Sequence, residues 1–99
     1  MVLSKGENIN ETFESFALIN DIRCAWINGI GAINNPEIGY YSLKNKLYKR
    51  KQFKGEFELT TLIGNITIKK RQPFAHTHIT FSDEKYRIHG GHYLMHKYQ

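Results

Sequence analysis

The sequence predicts an α+β fold, in which a largely antiparallel β-sheet is flanked by one or two helices. One stretch near the N-terminus has the apolar spacing of an amphipathic helix. The rest of the chain consists of short runs rich in β-branched and aromatic residues, and short polar turns separate these runs. One helix followed by many strands with short connections is typical of the α+β class.

The helix is predicted to follow a turn at residues 5–8, with Asn8 as a candidate N-cap and Asn20-Asp21 as its end. Its apolar residues recur at i, i+4, i+7 and i+8, so they form one stripe that we expect to lie on the sheet. The stripe consists of Ile9, Phe13, Phe16 and Ala17. The residues expected to point outward are Asn10, Glu11, Glu14 and Ser15.

The first strand is predicted around Cys24–Ile27, where Cys24 is interpreted as a small core residue. The glycines of Gly29-Ile30-Gly31 follow it. A dinucleotide-binding loop would need a third glycine and a helix directly afterwards, whereas this chain continues into a turn at Pro36. The glycines therefore indicate a bulge or the close passage of another backbone.

Five more extended segments complete the predicted sheet. Gly64 interrupts one of them, either as a bulge inside one long strand or as a hairpin corner. A basic loop is predicted at Lys69–Pro73. The segments are Glu37–Ser42, Leu47–Phe53, a run from Phe57 to Ile68, Phe74–Ser82 and Tyr86–Leu94.

Composition limits the classes of protein to consider. The 99 residues fit a single domain, residues 1–99. No apolar run approaches the roughly 20 residues that cross a bilayer, and the N-terminus lacks the pattern of a secretory signal. The single cysteine cannot form an internal disulfide. We therefore expect a cytoplasmic protein that does not act in a membrane.

Histidines provide the most informative chemical pattern. His76 and His78 are spaced to share one face of a strand, and the returning segment would bring His92 beside them. Three imidazoles can hold a divalent metal and leave one position open, although alternate histidines also occur as ordinary polar residues. His89 and His96 are the competing ligands. A general base for a metal-bound water would come from Glu56 or Glu58 on a neighbouring strand.

Basic residues are clustered in two places, and the formal net charge is +5. Such clusters can contact nucleic-acid phosphates, although lysines also keep the edge of a sheet soluble and unpaired. No zinc finger, helix-turn-helix or minor-groove hook accompanies them. The candidate nucleic-acid-binding residues are Lys44, Lys46, Lys49, Arg50 and Lys51, with Lys54 nearby, and then Lys69, Lys70 and Arg71.

Several of these segments together resemble a known family, the plants and prokaryotes conserved (PPC) domain. The resemblance covers nearly the whole chain, in order and in spacing. It rests on Gly6-Glu7, the run from Trp26 to Ala32, Gly39-Tyr40-Tyr41, Tyr48, Gly55–Leu59, Gly64-Asn65-Ile66, Pro73-Phe74 with His76 and His78, and Gly90-Gly91-His92.

The resemblance implies a PPC-like antiparallel sheet with flanking helices, assembled as a homotrimer. For the prokaryotic stand-alone type it also implies a bound metal, with zinc expected, held by His76, His78 and His92. Imidazole equally suits nickel, copper and iron, so the residues do not fix the metal. The fold is distantly similar to acetolactate decarboxylase, a zinc enzyme that uses three histidines.

Two features depart from the family pattern. The family continues beyond Gly-Gly-His with a turn and a closing strand, which we expect to be absent here, and no AT-hook is present.

Three functional hypotheses follow. The protein is a trimeric metal-binding module with a DNA-associated or regulatory role, a small zinc enzyme, or a structural trimer without metal. The first is preferred, and the protein is more readily explained as a binding module than as an enzyme.

Overall fold

A single antiparallel sheet with one helix packed on it makes up the part of the chain described by the structure. This structure is a computed structural model, and it describes residues 1–3 and 8–94. The elements are α1 (Ile9–Ile19), β1 (Ala25–Asn34), β2 (Glu37–Ser42), β3 (Leu47–Gln52), β4 (Glu56–Lys69), β5 (Gln72–Ser82) and β6 (Ile88–Tyr93). Their order across the sheet is β1-β4-β5-β6-β2-β3, and every neighbouring pair is antiparallel.

This architecture confirms the predicted α+β class with one helix in the described residues. Most of the turn predicted at 5–8, including Gly6 and Glu7 of the family pattern, lies outside those residues. The predicted homotrimer stays a prediction. No helix within residues 1–3 and 8–94 is long and apolar enough to span a membrane.

Polar caps fix both ends of α1 as predicted. The side chain of Asn8 accepts a hydrogen bond of 3.0 Å from the backbone N–H of Glu11. At the other end, the side-chain amide of Asn20 donates a 2.9 Å hydrogen bond to the carbonyl of Phe16. Asp21 then adopts a φ of 54°, which cannot continue a right-handed helix. The local sequence alone therefore defines the limits of the helix.

The face that α1 turns to the sheet differs from the predicted stripe. Ala17 is fully buried, but Phe16 is 45% exposed, so its place in the core was wrongly predicted. Asn10 and Glu14 were expected to point outward, but the side chains of both hydrogen-bond to β5. Asn10 is buried, and its Oδ1 accepts a 2.7 Å hydrogen bond from the hydroxyl of Thr77. A buried amide is tolerated where such a partner exists, and periodicity cannot reveal that partner.

Strand β1 confirms one prediction and contradicts another. The register with β4 shifts between Gly29 and Gly31, which is the predicted bulge. Cys24 is exposed, so its interpretation as a core residue was wrong. The strand begins only at Ala25, and Ile27 is its first buried side chain.

Strand β4 continues through Gly64, where it pairs with Thr77, with neither the predicted corner nor a bulge at that residue; its register with β5 shifts instead between Leu59 and Thr61. A Cβ at Gly64 would overlap the carbonyl oxygen of His76 and lie 2.9 Å from Cα of Thr77, so glycine allows β5 to approach closely. The expected loop at Lys69–Pro73 was wrong in extent. Lys70 and Arg71 alone make the turn, with φ values of 51° and 66°.

The core lies between α1 and the inner face of the sheet. Phe81 is fully buried at its centre, and the rings of Phe53 and Phe57 meet it edge to face at 5.1 Å. Ile79 and Ala75 continue this buried row along β5. The inner positions of β5 therefore anchor the strand, and the alternate positions face outward.

Candidate metal centre

Two histidines project from the outer face of β5. Burial alternates along the strand, since Ala75, Thr77 and Ile79 are buried while His76 and His78 are exposed. Successive strand residues point to opposite faces, and the Thr77 hydroxyl contacts α1. Both imidazoles consequently lie on the face turned away from the helix, with ring centroids 5.2 Å apart.

His92 joins this pair from the adjacent strand. It is the direct cross-strand partner of His78 in the β5–β6 ladder. Its ring centroid lies 4.7 Å from that of His76 and 5.2 Å from that of His78. The structure therefore brings together the three rings that the sequence predicted to converge, and their role as metal ligands stays a prediction.

The separations of the three rings suit a shared metal ion. With metal–nitrogen bonds of about 2.0–2.1 Å in tetrahedral geometry, imidazole centroids lie roughly 5 Å apart. The nitrogens themselves are not yet arranged as ligands, since within residues 1–3 and 8–94 no group of three His, Cys, Asp or Glu side chains is in position to hold a metal. The donor set fits a divalent metal in its chemistry and in the spacing of its rings.

The environment favours neutral imidazoles. Burial, followed by the proximity of His76 and His78, lowers the pKa of His92 to about 4. Burial, followed by the proximity of His76, also lowers the pKa of His78. A neutral imidazole retains the lone pair that a metal requires. His92 is therefore ready to act as a ligand at neutral pH without first losing a proton.

A tyrosine that sequence reasoning did not connect with the histidines completes the group. Oη of Tyr48 on β3 lies 3.1 Å from Nδ1 of His92. Between them runs β2, where Gly39 pairs with His92 on one side and with Arg50 on the other. The sequence marks Tyr48 only as part of the family pattern, because no local spacing relates it to His92.

His89, one of the two competing histidines, does not belong to this group. His89 is in register with Phe81 and packs against the ring of Phe53 at 4.9 Å. Its Nε2 lies 3.3 Å from Oδ2 of Asp83. A separation of three residues along β6 places the side chains of His89 and His92 on opposite faces of the sheet. His96 lies outside the described residues.

The carboxylates suggested as a general base lie away from the histidines. Glu58 pairs with Ser82, four residues beyond His78 on β5, a distance of roughly 13 Å along the strand. Glu56 is farther along β4. Glu37, which the sequence did not single out, lies two residues before Gly39 on β2 and therefore nearer by register. The arrangement thus gives no support to Glu56 or Glu58 as a base.

All of the candidate nucleic-acid-binding residues are exposed, but they form two separate groups. Lys44 and Lys46 lie in the turn before β3, and Lys49, Arg50 and Lys51 follow on β3 itself. The other group forms the β4–β5 turn and its flank, consisting of Lys69, Lys70 and Arg71. Strands β5 and β3 are three steps apart in the sheet, or roughly 14 Å.

Aromatic rings engage some of these cations. Lys51 lies 4.8 Å from the centroid of the Phe53 ring, and Lys69 lies 4.6 Å from that of Phe74. The guanidinium of Arg50 lies 5.5 Å from the centroid of Tyr48. Such contacts hold the cations near the sheet, and the one at Arg50 links the basic strand to the histidine group.

Comparison with known proteins identifies close structural counterparts. The family model of the Plants and Prokaryotes Conserved domain (PCC, also abbreviated PPC) matches residues 1–97. No protein with a curated description matches the chain.

Among solved structures, the chain is similar to a plant- and prokaryote-conserved (PPC) protein of Pyrococcus horikoshii, with 38% identity, a TM-score of 0.88, and coverage of 93% of this chain and 64% of that one. It is similar to a metal-containing protein of Archaeoglobus fulgidus, with 32% identity, a TM-score of 0.85, and coverage of 93% and 65%. A candidate DNA-binding protein of Ralstonia eutropha JMP134 matches with 31% identity, a TM-score of 0.86, and coverage of 95% and 65%. The chain thus spans slightly less than two thirds of each.

Proposed function

The chain belongs to the Plants and Prokaryotes Conserved domain family, and on that premise we propose that it is a metal-binding member in which His76, His78 and His92 hold a divalent cation. The observation that carries this proposal is the gathering of three imidazoles from β5 and β6, with centroids 4.7 to 5.2 Å apart. The solved relative from Archaeoglobus fulgidus, described as metal-containing, supports it.

Zinc is the expected ion. Three neutral histidines are a common zinc ligand set, and they leave one coordination position for water or another ligand. A bound zinc ion would supply a Lewis acid at that position. The chain's own contribution is to hold three rings on a rigid pair of strands, because the ladder fixes His78 opposite His92.

We propose a homotrimer as the assembly. The outer face of the sheet carries large apolar side chains beside the histidines, including Trp26, which is 69% exposed, and Ile63. Exposed apolar surface of this kind is typical of a protein interface. Light scattering coupled to size-exclusion chromatography tests the assembly, and a mass of one or two chains across the concentration range would contradict it.

A second candidate function is contact with DNA. The observation that favours it is β3, whose side chains are all exposed and include three consecutive cations. The Ralstonia eutropha relative, described as a candidate DNA-binding protein, supports the same idea. In this proposal β3 supplies phosphate contacts, which carry little sequence information.

Elemental analysis tests the metal site directly. The protein is purified without added metal, with and without the combined substitutions His76→Ala, His78→Ala and His92→Ala. We expect one metal per chain in the unmodified protein and loss of that metal in the triple variant. His89→Ala is the matched control, because His89 packs on Phe53 away from the three rings. Equal metal content in the unmodified protein and the triple variant would refute the proposal.

A further inference from the structure

The ring of Tyr48 lies over Gly39, and any side chain at that position would occupy the same space as the ring. Tyr48 lies on β3 and His92 on β6, and between them Gly39 on β2 presents no side chain. A Cβ at Gly39 would overlap the Tyr48 hydroxyl and lie 3.1 Å from its Cε1. The phenol therefore occupies the space above β2, with its oxygen 3.1 Å from Nδ1 of His92.

The guanidinium of Arg50 packs over the ring of this phenol. Its guanidinium carbon lies 5.5 Å from the Tyr48 centroid. Arg50 is also the cross-strand partner of Gly39, so the cation, the glycine and the phenol are neighbours on one face. This contact limits the orientations open to the Tyr48 ring.

The hydrogen bond determines which nitrogen of His92 can bind a metal. In a neutral imidazole one nitrogen carries the proton and the other carries the free lone pair. If Nδ1–H donates to the phenol oxygen, Nε2 of His92 is free for a metal. A partner that orients the ring and selects the tautomer in this way is characteristic of histidine ligands.

We propose that Tyr48 is a positioning residue for the metal centre, where its hydroxyl oxygen accepts the Nδ1 proton of His92 and leaves Nε2 as the metal-binding nitrogen. The role in metal binding rests on the proposed function above, whereas the bond and the tautomer exist without metal. Gly39 contributes to the same hydrogen bond, because its lack of a side chain leaves room for the phenol.

The tautomer is measured on the metal-free protein by long-range nitrogen–proton NMR at pH 7.5. We expect the proton of His92 on Nδ1 in the unmodified protein. The Tyr48→Phe variant keeps the ring and removes the acceptor, so we expect a mixture of the two tautomers. Tyr41→Phe is the matched control, because Tyr41 pairs with Tyr48 across β2 and β3 and should leave the tautomer unchanged.

Metal affinity provides the second measurement, with Zn²⁺ alone as the probe in a chelator competition. Loss of an orienting partner typically weakens metal binding by about 10- to 100-fold, and we expect this loss in Tyr48→Phe but not in Tyr41→Phe. Gly39→Ala displaces the phenol without removing it, so it should reproduce the altered tautomer. Backbone amide spectra verify that each variant is folded.

Two results would overturn the proposal. One is an unchanged His92 tautomer in Tyr48→Phe, and the other is an equal loss of affinity in Tyr41→Phe. A protein that shows the tyrosine-dependent tautomer but takes up no Zn²⁺ would uphold the Tyr48–His92 coupling and refute the metal site instead.

Discussion

The hydroxyl of Thr77 donates a 2.7 Å hydrogen bond to Oδ1 of Asn10, and both residues are buried between β5 and α1. Thr77 separates His76 from His78 in the sequence, so this bond fixes the back of the strand whose front carries the imidazoles. Beside it, Oε2 of Glu14 accepts a 2.9 Å hydrogen bond from the backbone N–H of Ala75. The helix thus satisfies polar groups of β5 directly behind the candidate metal centre.

Removal of the Thr77 hydroxyl should destabilise the fold. The Thr77→Val substitution leaves Oδ1 of Asn10 buried without its donor, at a cost of about 1–3 kcal/mol in the free energy of unfolding. Urea denaturation measures this change. The control is Thr67→Val, at an exposed position of β4, which should change stability little. A Thr77→Val protein as stable as the control would show that the buried bond contributes nothing.

A side chain at Gly64 should disturb both the fold and the histidines. In Gly64→Ala the new methyl group meets the carbonyl oxygen of His76, so β4 and β5 must separate locally. Such overpacking typically costs about 1–3 kcal/mol, and we expect weaker Zn²⁺ binding as well. Thermal unfolding and chelator competition measure the two effects.

Gly29→Ala is the matched control, because a Cβ there meets nothing within 4 Å. This variant should retain the melting temperature and the affinity for Zn²⁺. Equal behaviour of the two alanine variants would contradict the role given to the close approach at Gly64.

Acid should remove the stabilising contribution of Asp83. Hydrogen bonds hold the pKa of its carboxyl well below the usual range, the backbone N–H of Arg87 first, with the Arg87 side chain, His89 and the Lys85 N–H adding to the effect. A lowered pKa in the folded state stabilises the protein above the unfolded pKa of about 3.9, and this stabilisation is lost as pH falls through the folded value.

We therefore expect Asp83→Asn to lower the melting temperature at pH 7. The difference in melting temperature between this variant and the unmodified protein should become smaller below about pH 4. Glu84→Gln is the control for a change of charge in the same loop. A difference in melting temperature that stays constant down to pH 2, or that Glu84→Gln reproduces, would contradict the stabilising role of the Asp83 carboxylate.

If β3 contacts DNA, its lysines should control the dependence of binding on salt. Each phosphate contact contributes about 0.9 to the slope of log affinity against log salt concentration. The double substitution Lys49→Ala and Lys51→Ala should reduce that slope by about 2, as measured by fluorescence anisotropy with duplex DNA. Lys85→Ala, an exposed lysine in the β5–β6 loop, should leave the slope unchanged. Equal slopes in all three proteins would exclude β3 as the contact surface.

Lys70→Ala with Arg71→Ala tests the second basic group separately. Because the β4–β5 turn and β3 lie on strands three steps apart, the two sets of substitutions report on different surfaces. A reduced slope in this variant alone would move the proposed DNA contact from β3 to the turn.

The sequence by itself determined those features that depend on short spacings. Asn8 and Asn20 set the ends of α1 through their own hydrogen bonds, and strand β2 has the predicted bounds Glu37–Ser42. Alternation on β5 placed His76 and His78 on one face, because a strand repeats every two residues. These properties follow from backbone geometry and near neighbours, so they could be predicted without the fold.

Only the tertiary structure decided the features that depend on distant partners. The burial of Asn10 depends on its hydrogen bond with Thr77. The hydrogen bond between Tyr48 and His92 passes over β2 at Gly39. The exposure of Cys24 depends on where pairing with β4 begins. No local pattern specifies these contacts, because strand order and register bring together residues that are far apart in the chain.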